Sequence, residues 1–434
     1  MEFYHFTEFA WPFLPPDDEF TSMRVNLPNE VYDPTIGADW FNMCLDQHLL
    51  ADELGINCMI NEHHQTATCL NSAAPLSVAI AARQTKNARI CILGNPSANL
   101  RDPIRNAEEM AMIDNISHGR LECGFVRGVP YELFSSNCNP TETSERLWES
   151  IALMQKAWTT NDGPFNYEGR WVHKRQVNVW PRPYQAPHMP IWMTGGSDVN
   201  HATRSVENGF TFTMFLTPTE GMKKMFTGVR DNLKKKGLPK PADDLFAFMP
   251  LVAVGETEEE ALKFVKQVFW YVTNNKSEPQ FRAPPGYVET NLYANFLSGK
   301  FSGGRTDAIR SKGMEYFREN GVAVYGTPDQ VVTQLKKMYK EIGGFGNLIA
   351  MLHSGDMPYK DVAKSMTLFA KEVVPQLKDL GTVSSKVGML KDRGRPIQAS
   401  KFKGRTDALE AARAKSGVTV RSPKKSRRSK KRAA

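Results

Sequence analysis

Short apolar runs alternate with helix-patterned segments about eight times over about 380 residues, and that rhythm limits the fold more than any other feature of the chain. Met1 to Phe9 alternates, is rich in aromatics and reads as a first strand. Ile56 to Ile60 (INCMI), Ala88 to Leu93 (ARICIL), Leu121 to Phe125, Pro190 to Thr194 (PIWMT), Phe210 to Phe215, Leu245 to Val254 and Asn347 to Leu352 (NLIAML) have strand length and are bounded by turn residues. Between them lie helical patterns over Trp40 to Leu54, Ala73 to Lys86, Pro103 to Asn115, Thr143 to Trp158, a stretch ending at Asn208, 219–236, 257–273, 328–342 and 358–380. Asp102 and Pro103 are a helix cap and a first helical residue. Regular alternation implies a parallel sheet of the α/β class. Eight units favour a closed (β/α)8 TIM barrel with insertions over an open sheet. No GxGxxG follows the first strand, which argues against a dinucleotide-binding domain. Residues 10–37, with five prolines, read as a long loop, 161–187 as a hairpin or excursion, and 275–305 (APPGY, SGKFSGG) as a long mobile loop.

Charge divides the chain in two. The net charge of +8 is the sum of +14 over residues 381–434 and −6 over residues 1–380. The last fourteen residues, RSPKKSRRSKKRAA, hold eight basic residues and no acidic one, so 381–434 is expected to be a disordered basic tail behind a barrel spanning 1–380. Its charge suggests weak contact with polyanions. No apolar run approaches the roughly 18–20 residues that cross a bilayer, so no stable membrane insertion is expected. The N-terminus lacks a positive segment before an apolar one and is not read as a signal peptide. The six cysteines (44, 58, 69, 91, 123, 138) form no CxxC and lie mostly in apolar runs, as reduced core residues of a cytoplasmic protein would.

Four strand ends carry unusual residues: Asn61-Glu62-His63-His64, Gly94-Asn95-Pro96, Arg127-Gly128 and Gly195-Gly196-Ser197. In a barrel the carboxyl ends of the strands converge on one mouth, where chemistry is done. An acid and two histidines there can move protons near neutral pH. An arginine beside a glycine offers a forked donor with room for a phosphate. Gly-Gly-Ser before a helix offers backbone N–H groups and the positive helix end. Each glycine turn taken singly is more often a tight turn, and Arg127 singly a surface ion pair, so the joint placement carries the signal. His48 and His118 read as a helix residue and a turn residue.

The stretches DELGINCMINEHHQT, RDPIRNAEEMAMIDNISHGRLECGFVRG and PRPYQAPHMPIWMTGGS, with YGTPDQVVTQL and SMTLFAKEVVPQL near the end, resemble the bacterial luciferase-like flavin-dependent monooxygenases over roughly residues 1–380. The resemblance implies a barrel that binds reduced FMN (FMNH2) and uses O2 to oxygenate a small organic substrate through a flavin hydroperoxide. His63 would be the catalytic residue. Arg127 would hold the phosphate, with Gly195, Gly196 and Ser197 beside it and Glu62, Gly94, Asn95 and Gly128 lining the cofactor site. A non-proline cis peptide of the family aligns with Gly94-Asn95. In luciferase itself a cysteine precedes the matching arginine; here it is Val126, so light emission is not implied. His64, Phe281 and Tyr287, with Pro284 and Pro285, would face substrate or form a lid over 275–305 that excludes water. An NAD(P)H:flavin reductase would supply reduced flavin, and a homo- or heterodimer is expected.

Three alternatives stand beside this reading: a deazaflavin-dependent oxidoreductase of the same fold, a metal hydrolase using Glu62, His63 and His64, and a flavin binder without turnover. Adjacent strand residues point to opposite faces, so His63 and His64 rarely share one metal, and no metal site is expected.

Overall fold

A computed structural model describes residues 1–382, except 17, 98–100, 197 and most of 275–311, together with residues 395 and 396. Strand β1 (Glu2–Thr7) runs parallel to β2 (Asn57–Ile60), and from there the sheet passes through β3 (Ile90–Asn95) and β4 (Leu121–Phe125). Two short strands, Phe165–Glu168 (β5) and His173–Val177 (β6), form a separate antiparallel hairpin, so the 161–187 excursion carries its own two-stranded unit. The main sheet resumes with β7 (Ile191–Thr194) and β8 (Thr211–Thr213), again parallel. On the other side of β1 lies the strand Asn347–His353, which also pairs with Ala247–Phe248. All six residues of β3 are buried, as expected where helices cover one face and packed side chains the other. Among the described residues the last seam of the ring carries no continuous ladder. A single parallel bridge, Phe212 to Phe246, joins its two sides, with Thr211 Oγ1 and Thr213 Oγ1 donating to the carbonyls of Asp244 and Ala247.

Local chemistry sets where the elements begin and end. Helix α1 (Pro34–Glu53) starts earlier than the helical pattern at Trp40 suggests. Asp33 accepts from the N–H groups of Thr35 and Ile36 at 2.7 and 3.2 Å, and Pro34 takes the first position, where its missing N–H costs nothing. The expected strand 245–254 is broken: Ala247–Phe248 ends before Met249-Pro250, and Leu251–Val254 continues in a different pairing. Proline has no N–H for the ladder, which is why the break falls there. A strand absent from the sequence reading, Ala323–Gly326, pairs with Leu251–Val254. The final helix is Tyr359–Leu368, followed by a π-helical turn over Phe369–Val373 and a 3-10 turn over Val374–Gln376 that contains Pro375. Gly381 and Thr382 still belong to the packed body. The Asp243 N–H donates to Thr382 Oγ1 at 2.9 Å, and the Thr382 N–H donates to an Asp243 carboxylate oxygen at 3.1 Å. The expected disordered tail otherwise lies outside the described residues, apart from 395 and 396. No helix of the described residues is long and apolar enough to cross a membrane. All six cysteines are buried thiols.

Candidate active site

His63 is the third residue after the end of β2, at the mouth formed by the carboxyl ends of the strands. Its imidazole lies between two carboxylates. Nδ1 is 3.3 Å from Glu132 Oε1, and Nε2 is 3.8 Å from Glu8 Oε2. Both acids are buried, each 2% exposed. Burial alone would raise the Glu132 carboxyl. The hydrogen bond from His63, the charges of His63 and His64 and the Val129 N–H outweigh burial and hold it below the usual carboxylate range. An ionised carboxylate can only accept, so Nδ1 of His63 carries the proton in this contact and Nε2 is left to face Glu8 and the mouth.

Glu132 does more than hold His63. It lies in the short helix Glu132–Ser135, and its carboxylate also accepts from the backbone N–H groups of His64 and Val129, both at 3.1 Å. Glu8 comes just after β1 and accepts from Asn61 Nδ2 at 2.7 Å. Arg24 closes the far side. Its Nη2 donates to Tyr271 OH at 3.2 Å and its guanidinium lies 5.5 Å from the centroid of Tyr131. Burial opposes the Arg24 charge, yet Tyr271, Tyr131 and Glu8 together raise its pKa. Glu8, Glu132 and Arg24 carried no signal beyond their residue type. Glu8 and Arg24 lie in loops and Glu132 in a four-residue helix, and only the fold brings the two acids to His63.

His64 turns away from His63: its Nε2 is 3.3 Å from Glu62 Oε1. The Glu62 carboxylate is fully engaged in holding loops. It accepts from Ala74 N at 2.6 Å, at the start of helix α2 (Ala74–Gln84), which has no capping side chain of its own, and from Arg101 Nη2 at 3.2 Å. The side chain expected at the cofactor thus caps a helix. Asn95 is similarly committed. It is buried at the end of β3, where its Nδ2 donates to Asn106 Oδ1 at 2.9 Å and ties the strand to helix α3 (Pro103–Ser117). The non-proline cis peptide lies at Leu93–Gly94, one bond before the expected Gly94-Asn95. Gly94 has to be glycine, because a Cβ there would overlap the Val126 side chain.

A second corner is built around Arg127. The Tyr287 ring lies 3.8 Å from its guanidinium, and Tyr287 OH donates to the Gly128 carbonyl at 2.8 Å. Gly128 has a φ of +86°, which favours glycine. Phe281 packs edge-on against Phe134, with centroids 5.5 Å apart. Most of the expected lid, 275–305, and Ser197 are outside the described residues. Of the two glycines after β7, Gly195 spends its N–H on the Thr213 carbonyl at 3.3 Å. At Gly196 a Cβ would meet nothing within 4 Å, so its backbone borders open space. His201, in the first turn of the following helix (Val199–Glu207), has its pKa lowered by burial, with Asp198 opposing and Arg127 adding to the shift. Arg127, Gly196 and the start of that helix therefore meet at one place, with donor chemistry that suits a phosphate. Asp198, which caps the helix by accepting from Asn200 N at 2.8 Å, is the opposing charge. Among the described residues no group of three or more His, Cys, Asp or Glu side chains is placed to hold a metal ion.

A parallel α/β sheet with an acid–histidine pair and an arginine–glycine corner at one mouth defines an α/β enzyme of the barrel type. The family described as luciferase-like monooxygenase matches residues 25–344, more than half of the chain, and the chain belongs to that family. It is 30% identical over 164 residues to the oxygenase component of flavin-dependent trigonelline monooxygenase from Acinetobacter baylyi, covering 37% of this chain and 44% of that protein. The match thus spans less than half of that relative's length. Limonene 1,2-monooxygenase from Rhodococcus erythropolis is 21% identical, over 78% of this chain and 81% of its own. Among solved structures, the oxygenating constituent of 3,6-diketocamphane monooxygenase from Pseudomonas putida, in complex with FMN, superposes with a TM-score of 0.61 at 19% identity, over 86% of this chain and 99% of that one. The relatives support a flavin-dependent oxidoreductase of the monooxygenase class.

Proposed function

We propose that this chain oxygenates a small organic substrate with reduced FMN and O2. One oxygen atom enters the substrate, the other leaves as water, and the flavin returns oxidised. The observation that carries the reading is His63, fixed between Glu8 and Glu132 at the mouth that also presents Arg127 and Gly196. Reduced flavin, when bound, supplies the two electrons that activate O2.

The chain's own residues do the rest. Glu132 keeps a proton on Nδ1 of His63, which leaves Nε2 to give or take a proton at the reacting oxygen. Arg127 and the Gly196 backbone hold the phosphate. Tyr287 and Phe281 cover that corner and exclude water. His64 and Glu62 brace the loop that carries His63. Reduced flavin arrives from an NAD(P)H:flavin reductase, in a cytoplasmic setting that suits six buried thiols. The exposed Leu76 and Ile80 on α2 and Met112 and Ile116 on α3 form an apolar stripe on two neighbouring helices, and this stripe supports dimerisation.

The test mixes purified protein with reduced FMN, then with oxygen and candidate substrates, and measures oxygen use against product. Product formed in proportion to oxygen supports the reading. Binding of a reduced deazaflavin with hydride transfer and no oxygen use would overturn it in favour of that cofactor.

A further inference from the structure

Next to the histidine loop lies a cavity of about 730 Å³, bounded by the loop after β1, by α1 and by residues 65–70. That volume is within the range of sites that take small organic ligands. Its walls are Trp11, Leu27, Tyr32, Phe41, Leu70 and their neighbours, and none of the fourteen lining residues is charged. Trp11 and Tyr32 pack with centroids 4.8 Å apart, and the Tyr32 ring is seated where a Cβ on Gly37 would overlap it. The polar groups are uncharged: Asn29 and Gln65 are exposed at the rim, and Thr66 is half-buried.

The cavity is tied to the mouth by the backbone. Trp11 N–H donates to the Ala67 carbonyl at 2.9 Å, and Leu70 N–H donates to the Phe9 carbonyl at 2.9 Å. Gln65 and Thr66 follow His63-His64 without a break, so one wall of the cavity is the loop that carries the proposed catalytic histidine.

We infer that this cavity holds the body of the substrate, and that the substrate is a neutral, largely apolar organic molecule. The inference rests on the oxygenase reading and adds the substrate class to it. A charged ligand would lose its hydration here and find no counter-charge. An apolar ring system would be covered by Trp11, Tyr32 and Phe41, and a carbonyl or hydroxyl could reach the rim amides. The Arg127 corner is the opposite environment, and the two separate an anionic cofactor from an uncharged substrate.

The test uses the full chain and two probes of similar size, 2-adamantanone and adamantane-1-carboxylate, in calorimetric titrations without flavin. The ketone should bind at least tenfold more tightly than the carboxylate. Ala38→Trp, at an exposed α1 position lining the cavity, should weaken the ketone at least tenfold while reduced FMN binds as before. Asn42→Asp, also on α1 and exposed, should weaken the ketone less and the carboxylate more. Equal affinity for both probes, no ketone binding, or ketone binding untouched by Ala38→Trp overturns the assignment. Loss of oxygen-dependent turnover with ketone binding intact would instead overturn the oxygenase reading.

Discussion

The two corners of the mouth are built on opposite plans. Around His63 the side chains are held by polar contacts: two buried carboxylates, an asparagine, backbone N–H groups and an arginine–tyrosine pair. Around Arg127 the wall is mostly glycine and backbone, and an aromatic ring covers the guanidinium. The first plan fixes one side chain in one orientation before any ligand arrives, which chemistry requires. The second leaves open space beside the Gly196 backbone. Side-chain chemistry and cofactor binding should therefore respond separately to mutation.

The largest expected effect is at His63. His63→Ala should lower product formation by about 10²- to 10⁴-fold, the range for a positioned acid–base group, and release more hydrogen peroxide while flavin affinity stays unchanged. Parallel assays of oxygen, product and peroxide decide it; unaltered coupling would remove His63 from the chemistry. Next comes Arg127→Ala. Reduced FMN should bind more weakly by about 1.5–3 kcal/mol, with riboflavin much less affected because it has no phosphate. If both flavins lose affinity equally, Arg127 does not hold the phosphate. Glu132→Gln sharpens the division. It should cut turnover roughly tenfold, since the charge that fixes the His63 proton is gone, and leave the FMN dissociation constant within about a factor of two. A parallel loss of FMN affinity would show that the two corners are coupled.

A different group of histidines gives a smaller, global effect. His5, His48 and His353 are buried together in the wall, with the His5 and His48 rings 5.2 Å apart. Burial lowers all three, His48 to about 3 and His353 to about 4, while His5 falls well below its ordinary value. The unfolded chain takes up these protons below about pH 6.5 and the folded chain does not. Their contribution to stability is complete above that pH and is lost as pH falls toward 4 and then 3, with a limiting slope of about 1.4 kcal/mol per pH unit for each group. Thermal melts from pH 7.5 to 4 should show a falling melting temperature, and His48→Gln should flatten the fall. A melting temperature independent of pH over that span would contradict the burial of these rings.

The sequence announced the barrel because its strands are short apolar runs between helix patterns, a signal that survives without tertiary context. It also placed His63, Arg127 and the glycines, since strand ends are marked by turn residues. What it could not show depends on three dimensions. In the sequence Glu8 and Glu132 look like any other acids until the chain packs. Glu62 and Asn95 sit at strand ends yet spend their side chains on a helix start and on Asn106, because unpaired buried groups there would be costlier than an absent ligand contact. The cavity is likewise illegible, since residues 11, 32, 41 and 70 meet only after α1 packs.

The smallest expected effect concerns the end of the chain. Removing residues 385–434 should leave both corners untouched. Thr382 docks on the body ahead of the cut, and its bonds to Asp243 survive the cut. The deleted segment holds few apolar residues, so little burial is lost. Its 17 Lys and Arg against 3 Asp and Glu should give weak retention on DNA at low salt that disappears at moderate salt. Full-length and shortened chains should then share melting temperature and turnover and differ only in DNA retention. A melting temperature several degrees lower in the shortened chain would mean that the basic segment packs on the barrel. Equal retention would mean that its charge reaches no polyanion, and the contrast between a folded acidic body and a basic extension would have no binding consequence.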